Sequence, residues 1–187
     1  MDKLFGAVLV PQGWYYLEEL NYSRGFHTQL AAGLDATNNR VSVPQIKSGA
    51  EALERMVGSG GFAGTELGRV LHHWLMAKML LPGLTKAVLK SAAAQTTVNQ
   101  AAIACALERY RLANGHFPEK LDALVPQLIS PLPNDVLTGE PYKYRRTDNG
   151  QFVLYSVGWD EKDDGGVPGR TLFDDLQGDW VWEYPAR

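Results

Sequence analysis

Cysteine is almost absent from this chain: Cys105 is the only one among 187 residues. An internal disulfide is therefore excluded, and a cysteine-built zinc site has no second thiolate. The redox compartment stays open, because an oxidising location does not require a disulfide. Positive charge is also in short supply, with 18 Lys and Arg against 21 Asp and Glu, a net charge of −3 and a pI near 5.8. That balance offers no basic face for nucleic acid, and none is expected as a partner. Long apolar runs are missing too. The best stretch, Leu75–Leu84, is interrupted by Lys78 and Pro82 and falls well short of the roughly 20 residues that cross a bilayer. Met1-Asp2-Lys3 leads only into the short run Leu4–Val10, with no small-residue cleavage site behind it. No membrane span is expected.

The usual fingerprints of catalysis are lacking as well. Ser156 stands in Tyr155-Ser156-Val157-Gly158, without the glycine-flanked elbow of a hydrolase nucleophile; local hydrogen bonding at a loop entrance is its expected role. The glycines between Gly58 and Gly64 do not follow a strand pattern, so they are read as a linker rather than a phosphate loop. His72 and His73 are adjacent, and neighbouring helical positions point about 100° apart, so the pair cannot chelate one ion from one helix. Glu18-Glu19 and Glu51 with Glu54 are expected on helix surfaces. Cys105 lies among alanines, where a small hydrophobe suffices.

What is present is a sequence of amphipathic segments. A hydrophobic content of 45% with 21% charged residues is that of a globular protein. Apolar positions at helical spacing run from Trp14 to about Leu34, weakened at Gly25, and again from Pro44, which suits a helix's first turn. After the glycine linker, Thr65-Glu66 opens a third helix whose stripe is Leu67, Val70, Leu71, Trp74, Leu75 and Met79. Pro82 is expected to kink or restart it. The longest pattern, Gly83 to Ala113, is expected as one helix with Leu84, Val88, Ala92, Val98, Ala102, Cys105 and Tyr110 along one side and Ile103 and Leu107 beside them. Asn114-Gly115 closes it.

A short helix from Glu119 to Val125 and three strands are expected next: 142–146, 152–156 and 180–183, the first two joined at Asp148-Asn149-Gly150. The fold class is therefore α+β, with N-terminal helices and a long helix packed on a small antiparallel sheet. Two regions are expected, a helical segment over 1–80 and an α+β domain over 81–187. Residues 1–60 bury too little surface to stand alone and should dock on the Leu67–Met79 stripe. Among the aromatics, Trp14, Tyr15 and Tyr16 form either a binding patch or a packed helix start; Trp159, Trp180 and Trp182 are expected in the core, and Trp159 is the choice if one tryptophan is exposed.

The segment Ala104 to Pro118 (ACALERYRLANGHFP), then Leu121–Val125, Tyr142 with Tyr144, and Leu154-Tyr-Ser-Val-Gly158 with Asp160 resembles the C-terminal head of the type II secretion major pseudopilin, a type IV pilin-like protein. The match covers about residues 84–183. It also resembles the C-terminal part of longer bacterial envelope proteins that carry such a head. The basic leader, processing site and apolar anchor helix of pseudopilins are not seen here, so the chain is expected to be a piece of a longer, membrane-anchored protein. The resemblance implies an extracytoplasmic location in the cell envelope, protein partners there, and a structural role without catalysis. An enzyme or small-ligand receptor, with its site between the N-terminal helices and the head, is the alternative.

The resemblance also bears on the acidic loop, where Asp160, Asp163 and Asp164 precede Gly165-Gly166. Calcium takes six to eight oxygen ligands. An EF-hand is excluded, since Lys162 occupies the third position and Thr171 stands where glutamate is required. By similarity to the pseudopilin loop, the carbonyl of Val157 and the carboxylates of Asp160 and Asp164 are the implied Ca²⁺ ligands. Asp174, Asp175 or Asp179 would complete the site, with Asp179 taken as the fourth ligand. A solvated acidic turn is the competing reading.

Overall fold

The computed structural model of the protein describes residues 12–57, 73–171 and 177–182. It is α+β, and its helices are α1 (Gln12–Gln29), α2 (Val43–Val57) and α3 (Leu75–Asn114). One antiparallel sheet contains β1 (Lys143–Arg146), β2 (Phe152–Ser156) and β3 (Trp180–Trp182) in the order β1-β2-β3. The chain divides into two compact units, residues 1–35 with 42–88 and residues 36–41 with 89–187. The division falls inside α3, between Val88 and Leu89.

In the first unit, α1 and α2 pack against the start of α3. Leu53, Ala77 and Leu81 are buried together, with Tyr22, Phe26, Trp74 and Leu84 packed around them. Two glycines set how closely the helices approach. A Cβ at Gly25 would lie 2.7 Å from Leu81 Cδ1, and one at Gly49 would lie 2.5 Å from the Thr28 carbonyl oxygen. Gly25 does not interrupt α1. It makes room for its neighbours, and the helix runs through it.

Part of the expected docking stripe is seen: Trp74 packs on the Leu53, Ala77 and Leu81 core, while Met79 faces outward. The stripe's members from Leu67 to Leu71 and the linker Gly58–Gly64 lie outside the described residues. Of the rest, Met79 is 71% exposed while Ala77 and Leu81 are fully buried. Pro82 does not restart the helix, which is continuous from Leu75 to Asn114. The ring removes the N–H that would reach the Lys78 carbonyl and crowds that carbonyl; both residues lie on the exposed side, where water can take that oxygen.

In the second unit, α3 lies against the sheet. Ile103, Ala106 and Leu107 share a buried core with Phe117, Leu121, Leu124, Tyr142, Phe152 and Leu154. The buried face is rotated from the expected one: Val98 is 61% exposed, and Ala102 and Cys105 are exposed too. Polar residues occupy the true core line. Thr96 and Gln100 are buried, and Gln100 Nε2 donates to the Trp180 carbonyl at 2.7 Å, joining α3 to β3.

The strands follow the two-residue alternation. Tyr144 pairs with Leu154, and Tyr155 pairs with Val181. Between β1 and β2 the turn closes with Gly150 N–H donating to the Thr147 carbonyl, and Gly150 has a φ of 77°. The expected short helix at Glu119–Val125 is a single 3-10 turn, Leu121–Leu124.

Candidate functional site

The acidic loop grows out of the end of β2. Ser156 is fully buried, and its Oγ accepts the Gly158 N–H at 3.3 Å, as expected for a residue that sets the loop entrance. Val157 and Trp159 are each 7% exposed. Trp159 is thus a core residue, as expected for it and Trp180; it seats the loop on the fold.

Beneath the loop lies Asp135, a residue the sequence pattern does not single out. It is 4% exposed. Its carboxylate accepts the Leu137 N–H at 3.0 Å and is also bonded by Ser156, Thr138 and Val157. Burial raises this carboxyl above the ordinary carboxylate value, and the four hydrogen bonds oppose that shift. One buried anion therefore joins the 135–138 turn to the loop entrance.

Asp179 closes the loop from the other side and is fully buried. One of its oxygens accepts the Gly166 N–H at 2.6 Å and the other the Asp164 N–H at 3.4 Å. Its own N–H donates to the Val167 carbonyl at 2.9 Å. Burial raises its carboxyl, these amides lower it, and the negative charges of Asp163 and Asp164 raise it further. The approach of the two chain segments depends on Gly178. A Cβ there would stand 2.3 Å from the Gly169 nitrogen, and its φ is +88°, a conformation in which side chains are strained.

Asp163 has a different partner set. Its Oδ1 accepts from the Tyr155 hydroxyl and the Gly165 N–H, both at 3.0 Å, and its Oδ2 lies 3.5 Å from Lys143 Nζ. The Gly165 amide, the Tyr155 hydroxyl and then Lys143 hold its carboxyl below the ordinary value, against a small opposing effect of burial. Burial first, and then Asp163, push the Tyr155 hydroxyl up to about 12.

Asp160 is half-buried and Asp164 exposed. Both line an open cleft of about 590 Å³, together with Lys162, Arg170 and Gln177. Asp160 Oδ1 also accepts the Lys162 N–H at 3.2 Å. Of the four implied ligands, the structure therefore sets Asp160 and Asp164 on one cleft and Asp179 directly behind the Asp164 backbone. Val157 is buried at the entrance. Asp174 and Asp175 lie outside the described residues.

The donors are all oxygens, which is the chemistry Ca²⁺ takes, and the crowding that raises Asp179 is of the kind a cation relieves. Among the described residues, no three Asp, Glu, His or Cys side chains converge on one point. A cation here would draw on Asp160 and Asp164 directly, with backbone carbonyls and water filling its shell.

Three other expectations concern residues outside the loop. Glu18 is not a surface carboxylate: it is fully buried, and both its oxygens accept backbone N–H groups at the start of α3. Cys105 is exposed rather than packed. Tyr15 and Tyr16 are 56% and 70% exposed. Comparison with protein-family models, with curated proteins and with solved structures returned no match.

Proposed function

We infer that this chain is a non-catalytic interaction module of the bacterial cell envelope, working outside the cytoplasm, with a pseudopilin-like head and a calcium-stabilised loop. Asp160 and Asp164 would hold the ion from the cleft, with the Val157 carbonyl and water in its shell, and Asp179 behind the Asp164 backbone would add its charge. The observation that carries the reading is the placement of Asp179. It is a buried anion whose proton affinity is raised in part by the neighbouring charges of Asp163 and Asp164, in a loop that also presents Asp160 and Asp164 to one cleft. Such a loop gains from a divalent cation that neutralises it. The order of parts supports the same reading: the 89–114 stretch of a long helix, a hairpin, an acidic loop and a returning strand, all within one unit.

Bound Ca²⁺ would supply charge neutralisation and fix the loop, and the protein's surface would do the recognising. The test is a calcium titration of the EDTA-treated protein, followed by tryptophan emission, since Trp159 is buried at the loop, and by melting temperature. Saturable binding with a rise in melting temperature is expected. Identical emission and melting with and without Ca²⁺ would remove the calcium assignment.

A further inference from the structure

Two buried polar side chains stand behind the loop entrance without lining the cleft. Asp135 is 4% exposed and Ser156 is fully buried, whereas Asp160 and Asp164 face the cleft itself. The hydrogen bonds of the buried pair converge on the two peptide units that flank Val157. In the first, between Ser156 and Val157, the Val157 N–H donates to the Asp135 carboxylate. In the second, between Val157 and Gly158, the Gly158 N–H donates to Ser156 Oγ at 3.3 Å. The Ser156 hydroxyl donates in turn to Asp135. Asp135 is held by its own turn, through the N–H groups of Leu137 and Thr138.

This relay fixes the direction of one carbonyl. The Val157–Gly158 peptide is trans, so its N–H and C=O point in opposite directions. With the Gly158 N–H turned in toward Ser156, the Val157 carbonyl is turned away from the buried pair. Gly158 also lies close against the returning segment: a Cβ there would be 2.5 Å from the Gly178 carbonyl oxygen, which leaves the peptide plane little room to rotate. The ladder between β2 and β3 ends at the Ser156–Trp180 pair, and the Asp179 N–H just beyond it donates to the Val167 carbonyl. Neither takes up the Val157 oxygen.

We propose that Ser156 and Asp135 are positioning residues for the calcium site, fixing the Val157 carbonyl so that the metal-free loop already presents a preset oxygen. The inference rests on the calcium reading of the loop. A neutral carbonyl contributes to a cation's shell only when it is aligned, and alignment before binding removes an ordering cost from the affinity. Groups standing behind a metal ligand are worth about tenfold to a hundredfold in metal affinity.

The experiment is calcium titration of the EDTA-treated full chain for the parent protein, Ser156→Ala, Ser156→Cys and Asp135→Asn, beside their melting temperatures in EDTA. Ser156→Ala removes the middle of the relay. Ser156→Cys replaces the hydroxyl with a weak donor and acceptor, and with Asp135→Asn it carries the test if the alanine variant does not fold. Each folded variant is expected to raise the calcium Kd about tenfold. A merely structural role would lower the melting temperature in EDTA and leave that Kd unchanged. Amide hydrogen exchange in EDTA reads the relay without metal: the Gly158 amide should be protected in the parent protein and exposed in Ser156→Ala, while the amides of α3 stay protected in both. A parent protein that binds no calcium would remove the calcium reading and this inference with it. Calcium binding by the parent with an unchanged Kd in the variants, or a Gly158 amide that exchanges freely in the parent, would overturn the inference alone.

Discussion

Glu18 of α1 caps another helix: its Oε1 accepts the N–H of Leu75 at 3.0 Å and its Oε2 that of Met76 at 2.9 Å. A helix start leaves its first amides without partners, and a carboxylate there also meets the positive end of the helix dipole. The partner is 57 positions away along the chain, so the cap forms only when α1 and α3 meet.

Removing that cap should loosen the first unit. Glu18→Ala strips both amides of their acceptor and is expected to cost about 2 kcal/mol, since buried donors left unpaired are penalised more than a hydrogen bond contributes. Glu18→Gln keeps one acceptor and should cost roughly half as much. Urea titrations of the two variants beside the parent protein measure the order. Equal stability of all three would mean that water replaces the carboxylate without loss.

Calcium should raise the melting temperature through the loop. A ligand that binds only the folded state contributes about 2.7 kcal/mol at a hundredfold excess over Kd, a shift of several degrees for a domain of this size. Mg²⁺ should do less, because its smaller octahedral shell gives up water reluctantly. Asp160→Asn with Asp164→Asn should abolish the calcium shift and raise the metal-free melting point slightly, because part of the repulsion on Asp179 goes with the Asp164 charge. Melting curves in EDTA, CaCl₂ and MgCl₂ make the comparison.

Two carboxylates should impose opposite pH dependences. Burial holds the Asp135 carboxyl above 3.8, so the folded state binds this proton more tightly than the unfolded state does. Its contribution is a penalty present above the folded value and relieved as pH falls through that value toward 3.8. Asp163 is held below 3.8. Its contribution is a stabilisation present above 3.8 and lost as pH falls through its lower folded value. Asp135→Asn should therefore flatten stability against pH just above 3.8, and Asp163→Asn should flatten it below. Unfolding free energies in urea across the acid range read both slopes.

Gly178→Ala is expected to be among the most damaging single changes in the loop. The new methyl group would meet the Gly169 backbone at 2.3 Å while φ stays at +88°, so two backbone segments must separate. A loss of at least 2 kcal/mol is expected, with strain and steric displacement acting together. Gly150→Ala is the matched control: it carries a φ of +77° but has nothing within 4 Å, so it should show the cost of conformation alone, about 1 kcal/mol. Thermal melts of the two variants separate the effects.

The local features of this protein were legible in its sequence because local physics sets them. Pro44 lies in the first turn of α2, and Asn114 ends α3 ahead of Gly115 with its φ of +81°. The alternation at 142–146 and 152–156, around a glycine turn, fixes a hairpin whose register pairs Tyr144 with Leu154. A two-residue period and a turn glycine need no distant partner to be read. The cluster of carboxylates after β2 was equally plain.

Tertiary structure decided which side of each element is the inside. The apolar spacing of α3 puts Val98 and Cys105 on one side with Ile103 and Leu107 beside them; the first two are exposed, the second two are buried, and their core line also takes in Thr96 and Gln100. Gln100 belongs inside because a carbonyl 80 positions later, on Trp180, accepts a hydrogen bond from its side-chain amide. Glu18, Asp135 and Asp179 are buried for the same reason: each meets backbone amides that another part of the chain delivers. Burial of a polar group depends on its partner. Sequence shows the group and the period, and only the fold supplies the partner.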